Sequence, residues 1–178
     1  MEHHSADLNS LIQNFIAVVA PSGGVLRNQE PGVIAGIQSA LRDICLRGIP
    51  MQDAAAYLGW LDAQTAMVLD RLRVRVRPWG SVRKALNMFM RSCICESRLR
   101  VEYGLDGVEA WAEMPLDSVV ACALKREAGR EKLPAWPGLK HLDRATSDAF
   151  QESALECTRR RGLPARLFLD YDLWLKNR

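Results

Sequence analysis

The chain has no apolar run long enough to cross a bilayer: a stretch such as Phe15–Ala20 is only six residues, against the roughly 20 that a spanning helix requires. It has no C-x-x-C pair. The five cysteines (Cys45, Cys93, Cys95, Cys122 and Cys157) form an odd set whose spacing matches neither a zinc ribbon nor a zinc finger. They read as reduced, mostly buried thiols of a cytoplasmic protein. Nor does the polar opening segment, with His3, His4 and Asp7, read as a signal peptide. Internal repeats and low-complexity stretches are absent, which excludes solenoids and disordered arrays. Lysine is scarce, five against nineteen arginines.

What remains is ordinary globular material. At 178 residues, 48% hydrophobic and 25% charged, the chain can bury a core as one domain without disulfides or a structural metal. Net charge is only +3, but it is unevenly placed. Between Arg71 and Arg100 nine basic residues face one acid, Glu96, so that window carries +8 and the remainder −5. An arginine-rich stretch of this kind is the electrostatic footprint of phosphate contact.

The apolar spacing is helical nearly throughout. Leu8, Leu11, Ile12, Phe15, Ile16 and Val19 repeat at helix spacing with Asp7 as candidate N-cap. Val33, Ile34, Ile37, Leu41, Ile44 and Cys45 form a second stripe, closed by Gly48. Pro50 opens a short helix broken at Gly59, and Asp62–Leu72 forms another. Arg71–Arg77 alternates arginine with apolar residues, the period of an extended segment, and Pro78-Trp79-Gly80 reads as a turn. Val82, Ala85, Leu86, Phe89, Met90 and Cys93 give the clearest apolar face, with Lys84, Asn87 and Arg91 on another. Further helices begin near Asp117, at Ser147 or Asp148, and at Pro164. The expected fold is all-α, a single domain of about eight helices over 1–178, with lobes formed by 1–60 plus 130–178 and by 61–129.

Two segments carry candidate chemistry. Gly80-Ser81-Val82-Arg83-Lys84-Ala85-Leu86-Asn87 feeds a turn into a helix with an early lysine. Met114-Pro115-Leu116-Asp117-Ser118-Val119-Val120 presents an aspartate from a proline turn. Together they resemble the helix-hairpin-helix DNA glycosylases, in which a glycine-bearing hairpin leads into a lysine-bearing helix and a proline turn presents an aspartate. The hairpin here has a single glycine, Gly80, and Lys84 and Asp117 stand 33 positions apart. Both features are similar to the archaeal 8-oxoguanine DNA glycosylase branch.

The resemblance implies two helical lobes with a DNA-binding cleft and no metal or other cofactor. It implies a partner of double-stranded DNA carrying an oxidised purine or a phage hypermodified base, the latter in antiviral defence. Asp117 would stabilise positive charge on the sugar or activate a nucleophile. Lys84 would attack the anomeric carbon and form a Schiff base, with burial and neighbouring Arg83 favouring its neutral form. Gly80, Ser81, Arg73, Arg75, Arg77, Arg83 and Arg91 are the candidate DNA contacts, and Trp60, Trp79, Trp111 and Trp136, with Trp174, the candidate walls of a base pocket. No membrane contact is expected, and the protein would act as a monomer. Other readings of each residue stay open: Asp117 as a pure N-cap, Lys84 as a surface lysine, the tryptophans as core. His141 beside Asp143 reads as a surface histidine. Asp170 and Asp172, two apart on a helix, cannot face each other, though either could line the cleft. Two non-enzymatic functions compete: a DNA-binding module of the same fold, and a helical protein-interaction component.

Overall fold

A computed structural model describes residues 2–22, 24–75, 77–129 and 131–176, except for the side chains of residues 2–7 and Trp174. The described chain contains eight α-helices and no strand. They are α1 (Glu2–Val19), α2 (Val33–Arg42), α3 (Ala54–Arg71), α4 (Trp79–Cys95), α5 (Ser97–Tyr103), α6 (Ser118–Ala128), α7 (Arg144–Arg160) and α8 (Leu169–Lys176). Short 3-10 turns at Leu46–Gly48, Val108–Ala110, Leu139–His141 and Arg166–Phe168 join them. The all-helical expectation is met. None of these helices is long and apolar enough to cross a membrane.

Helix α4 runs through the middle and packs against α1, α2, α3, α5 and α7. Its apolar stripe is fully buried, as its spacing predicts, but so is nearly everything else: 13 of its 17 residues are buried, including Ser81, Arg83, Lys84, Asn87 and Arg91. The buried apolar residues fall into two clusters. One gathers α1–α5 with Ala165 and Leu167; the other gathers Met114, Leu116 and the inner faces of α6, α7 and α8. Trp79 and Leu139 pack against both. Apart from Ala165 and Leu167, the first cluster runs along the chain to Ala112, and the second begins at Met114.

Several local expectations are corrected. Helix α3 is one helix, not two: Asp53 caps it by accepting from Ala56 N at 2.8 Å, and it passes through Gly59 without a break. An isolated helical glycine costs only about 1 kcal/mol, which the packing of Tyr57, Leu61 and Val68 outweighs. Trp79 and Gly80 lie in the first turn of α4 rather than in a turn before it. Helix α7 is capped by Asp143, not by Ser147 or Asp148. The helix expected from Pro164 starts as a 3-10 turn at Arg166 and becomes α-helical at Leu169. Helix α1 begins before Asp7, so that residue is not its N-cap. Its apolar stripe is only half used: Ile16 is buried, whereas Leu11 and Phe15 are 59% and 69% exposed. Cysteine burial is also lower than expected. Cys93 and Cys157 are buried, Cys45, Cys95 and Cys122 exposed, and all five are free thiols.

Two glycines test this packing in opposite directions. A Cβ on Gly80 would lie 2.4 Å from the Leu139 carbonyl oxygen and 2.6 Å from Leu142 Cβ, whereas one on Gly59 meets nothing within 4 Å. Gly80→Ala is expected to destabilise the protein by about 1–3 kcal/mol. Gly59→Ala should stabilise it by roughly 0.4–1 kcal/mol. Urea unfolding midpoints of the two variants check both signs.

Candidate functional site

Lys84 and Asp117 meet. The Lys84 Nζ donates to Asp117 Oδ2 at 3.1 Å and to the Val25 carbonyl oxygen at 3.2 Å. Helical spacing explains the lysine's direction. Arg83 and Lys84 are consecutive on α4, so their side chains diverge by about 100°, Arg83 toward α3 and Lys84 toward the loop after α1. Asp117 is the N-cap of α6, as its position before Ser118 suggests. The same carboxylate serves two purposes. Its Oδ1 accepts from the Val119 and Val120 amides, both at 3.0 Å, leaving Oδ2 for Lys84.

These two residues form part of the wall of a cleft of about 360 Å³, a size in the range of small-ligand sites. Val25, Met88, Arg91, Pro115, Asp170 and Tyr171 complete it. Lys84, Met88 and Arg91 are spaced i, i+4, i+7 and share one face of α4. Arg91 forms an ion pair with Asp170, and its guanidinium lies 4.6 Å from the centre of the Tyr171 ring. Its Nε is buried with no hydrogen-bond partner in the protein. Burial pushes the Asp170 carboxyl above the usual carboxylate range, with Arg91 acting against it and the Asp117 charge adding to the rise. The cleft thus offers two carboxylates, an ammonium, a guanidinium and apolar surface.

Behind this wall lies a second set of buried charges. Arg83 donates to both oxygens of Glu113, at 2.7 and 2.8 Å, and to Asp62 and Thr65, each at 3.0 Å. The two side chains are 3% and 4% exposed. Asn87 adds a bond to Glu113 at 3.0 Å. Desolvation by itself would raise the Glu113 carboxyl, but the bonds and charge of Arg83, with Asn87, hold it below its usual range.

This geometry redistributes the predicted site residues. Lys84, Asp117 and Arg91 come together in the cleft. Arg83 does not: its guanidinium is consumed by Glu113, Asp62 and Thr65 and stacks near Trp79 at 5.6 Å, so it is shielded from phosphate and directed away from the cleft that Lys84 lines. Gly80 and Ser81 are buried, with Leu139 and Leu142 pressed against Gly80, so the start of α4 presents no open phosphate grip. The Arg71–Arg77 stretch forms no strand among its described residues; Val76 lies outside them. Arg71 pairs with Asp43 and Arg77 with Asp70. Arg73 and Arg75 are exposed and have no ion-pair partner among the described residues.

Trp60, Trp79, Trp111 and Trp136 do not line the cleft. Trp60 and Trp111 flank the buried Tyr57, at ring distances of 5.9 and 6.5 Å, and Trp136 meets Phe150 edge-on at 5.4 Å. The side chain of Trp174 lies outside the described residues. His141 is exposed in its 3-10 turn, and Asp143 is occupied in capping α7. Among the described residues no group of three His, Cys, Asp or Glu side chains is arranged to hold a metal ion.

Sequence reasoning missed Met88, Tyr171 and Val25, and left Asp170 as one of two equal options. The i+4 and i+7 positions after Lys84 were a usable signal for Met88 and Arg91. Nothing local points to Val25, which arrives from 59 residues away.

The buried pair behind the cleft predicts a pH dependence. A carboxyl depressed in the folded state contributes stability that is fully present above its unfolded pKa, about 4.3. That stability is lost as pH falls through the lower folded value. Urea midpoints measured from pH 7 down to pH 3 should therefore drop below about pH 4.3, and Glu113→Gln should start lower at pH 7 and show a shallower decline. Compared with protein-family models, curated proteins and solved structures, the chain gives no match.

Proposed function

We propose that the protein is a DNA glycosylase that excises a damaged or modified base, with Asp117 and Lys84 as its catalytic residues. The observation that carries this reading is the pairing of Lys84 Nζ with Asp117 Oδ2 at 3.1 Å in the wall of the cleft. The two residues come from distant parts of the chain, 33 positions apart, and converge in the wall of a cleft of about 360 Å³.

The chemistry follows from the arrangement. Cleavage of an N-glycosidic bond develops positive charge on the sugar. A carboxylate fixed through Oδ1, with Oδ2 facing the cleft, stabilises that charge without rearranging. Lys84 attacks only as a free amine, and Asp117 Oδ2, already its hydrogen-bond acceptor, is in place to receive the proton. The C1′–Nζ bond forms as the glycosidic bond breaks. The electron pair of the glycosidic bond leaves with the base, which takes a proton from Nζ; Asp117 passes the proton it has received to O4′ as the C1′–O4′ bond breaks, and the sugar opens to a protonated imine on Nζ. Arg91, Asp170, Met88 and Tyr171 supply a donor, an acceptor and apolar surface for the flipped base. An oxidised purine is the substrate class the resemblance favours, and a hypermodified phage base would present the same kinds of edge. Double-stranded DNA is the proposed partner, and Arg73 and Arg75 are the free cations suited to its phosphates.

Two measurements test this. Incubation with duplexes carrying different modified bases, followed by borohydride reduction, should trap a covalent protein–DNA product. Lys84→Gln should abolish it, and Asp117→Asn should slow base release by at least about a hundredfold. If Asp117→Asn releases base as fast as the unaltered chain, the catalytic assignment is wrong. Separately, Arg73→Glu/Arg75→Glu should weaken duplex binding and lower the slope of log affinity against log salt by about two. An unchanged slope removes these arginines from the interface.

A further inference from the structure

Two crosslinks, one buried and one part-buried, join the same two stretches of chain. Lys84 on α4 meets Asp117, and Arg83, the residue before it, grips Glu113, four residues before Asp117. The stretch between the two acids, residues 113–116, is buried yet forms no helix. Buried backbone without secondary structure must find other partners for its polar groups, and here side chains provide them. Gln151 accepts from the Met114 amide at 3.0 Å and donates to the Met114 carbonyl oxygen at 2.8 Å. Just upstream, Arg166 donates to the carbonyl oxygens of Trp111 and Ala112 at 2.9 and 3.0 Å. The segment that delivers Asp117 is therefore held from outside, and its only charged attachment to α4 before Asp117 itself is Glu113.

The two crosslinks differ in stiffness. A guanidinium held by both oxygens of a carboxylate is planar and fixed in angle. The Arg83–Glu113 pair has this form, and Asp62 and Thr65 anchor its far side to α3. An ammonium on a four-carbon stem is a rotatable point charge, and Asp117 is one-third exposed. The Lys84–Asp117 contact does not define its own geometry.

We infer that Glu113 is a positioning residue: through its double bond to Arg83 it sets the distance and direction at which Asp117 Oδ2 meets Lys84 Nζ. Its consequence for rate rests on the glycosylase reading above; its consequence for the Lys84–Asp117 contact does not. Misplacement by about 1 Å at a reacting pair is enough to cost up to a hundredfold in rate.

The test uses the full chain with Glu113→Gln and Arg83→Lys. The second variant keeps every charge and loses only the fork, so it separates positioning from the removal of a charge near Lys84. With only five lysines, reductive ¹³C-methylation gives few signals, and Lys84→Gln identifies the one of interest. In both variants the Lys84 signal, recorded at one fixed pH, is expected to move from its position in the unaltered protein as its carboxylate partner drifts away. Single-turnover base release should fall at least about tenfold, while duplex affinity stays within about twofold. A Lys84 signal position and a rate per folded molecule that are unchanged in Arg83→Lys overturn the inference, whatever Glu113→Gln does to stability. If the unaltered protein neither traps nor releases any base, the glycosylase reading fails, and the position of the Lys84 signal still decides the positioning role.

Discussion

The constraint on which this structure depends is the burial of nearly all of α4, 13 of its 17 residues. A helix in the middle of a bundle ordinarily carries only apolar side chains there, because burying a charge without a partner costs several kcal/mol. Helix α4 instead brings Arg83, Lys84, Asn87 and Arg91 into the interior, so the surrounding elements must supply acids at matching places. Glu113 and Asp62 answer Arg83, Asp117 answers Lys84, and Asp170 answers Arg91. Together the pairings tie three different elements to α4. Asp62 comes from α3, Glu113 and Asp117 from the irregular segment before α6, and Asp170 from α8. The polar residues of one helix thereby fix the arrangement of the others as firmly as its apolar stripe does.

The pairs fall into two groups with different consequences. Arg83 and Glu113 are dry, bidentate and saturated; their chemistry is spent on structure. Lys84, Asp117, Arg91 and Asp170 border open space and retain capacity: an Oδ2 shared only with an ammonium, and a carboxyl lifted by burial. The difference arises because positions one residue apart on a helix face different surroundings. That divergence converts a cluster of basic residues, uniform in the sequence, into a clamp on one side and a reactive surface on the other.

The exposed arginines before α4 play no part in this interior. Arg71 and Arg77 are drawn into surface pairs with Asp43 and Asp70, which contribute little in high dielectric. Arg73 and Arg75 keep their charge for solvent or a partner. The basic window of the sequence is therefore divided in space among a buried clamp, a cleft wall, a set of surface ion pairs and a small exposed patch.

The all-helical architecture and most helix positions were legible in the sequence, because apolar spacing of three and four residues is a local property that tertiary packing here respects. So was Asp117 as a cap, since capping needs only its immediate neighbours. The meeting of Lys84 with Asp117 was legible through resemblance, not through spacing. The sequence was silent, or misleading, where the deciding force came from far along the chain. Gly59 reads as a break, yet packing on either side carries α3 through it. Gly80 and Ser81 read as an open turn, yet Leu139 and Leu142 close over them. Tryptophans look like pocket walls, but large rings are worth most inside a core, and the cleft takes its aromatic from Tyr171. Which arginine is buried, which lines the cleft and which stays free depends on acids 20 to 80 residues away. Local periodicity determined the helices; only the folded chain, by placing each acid, decided what each basic residue does.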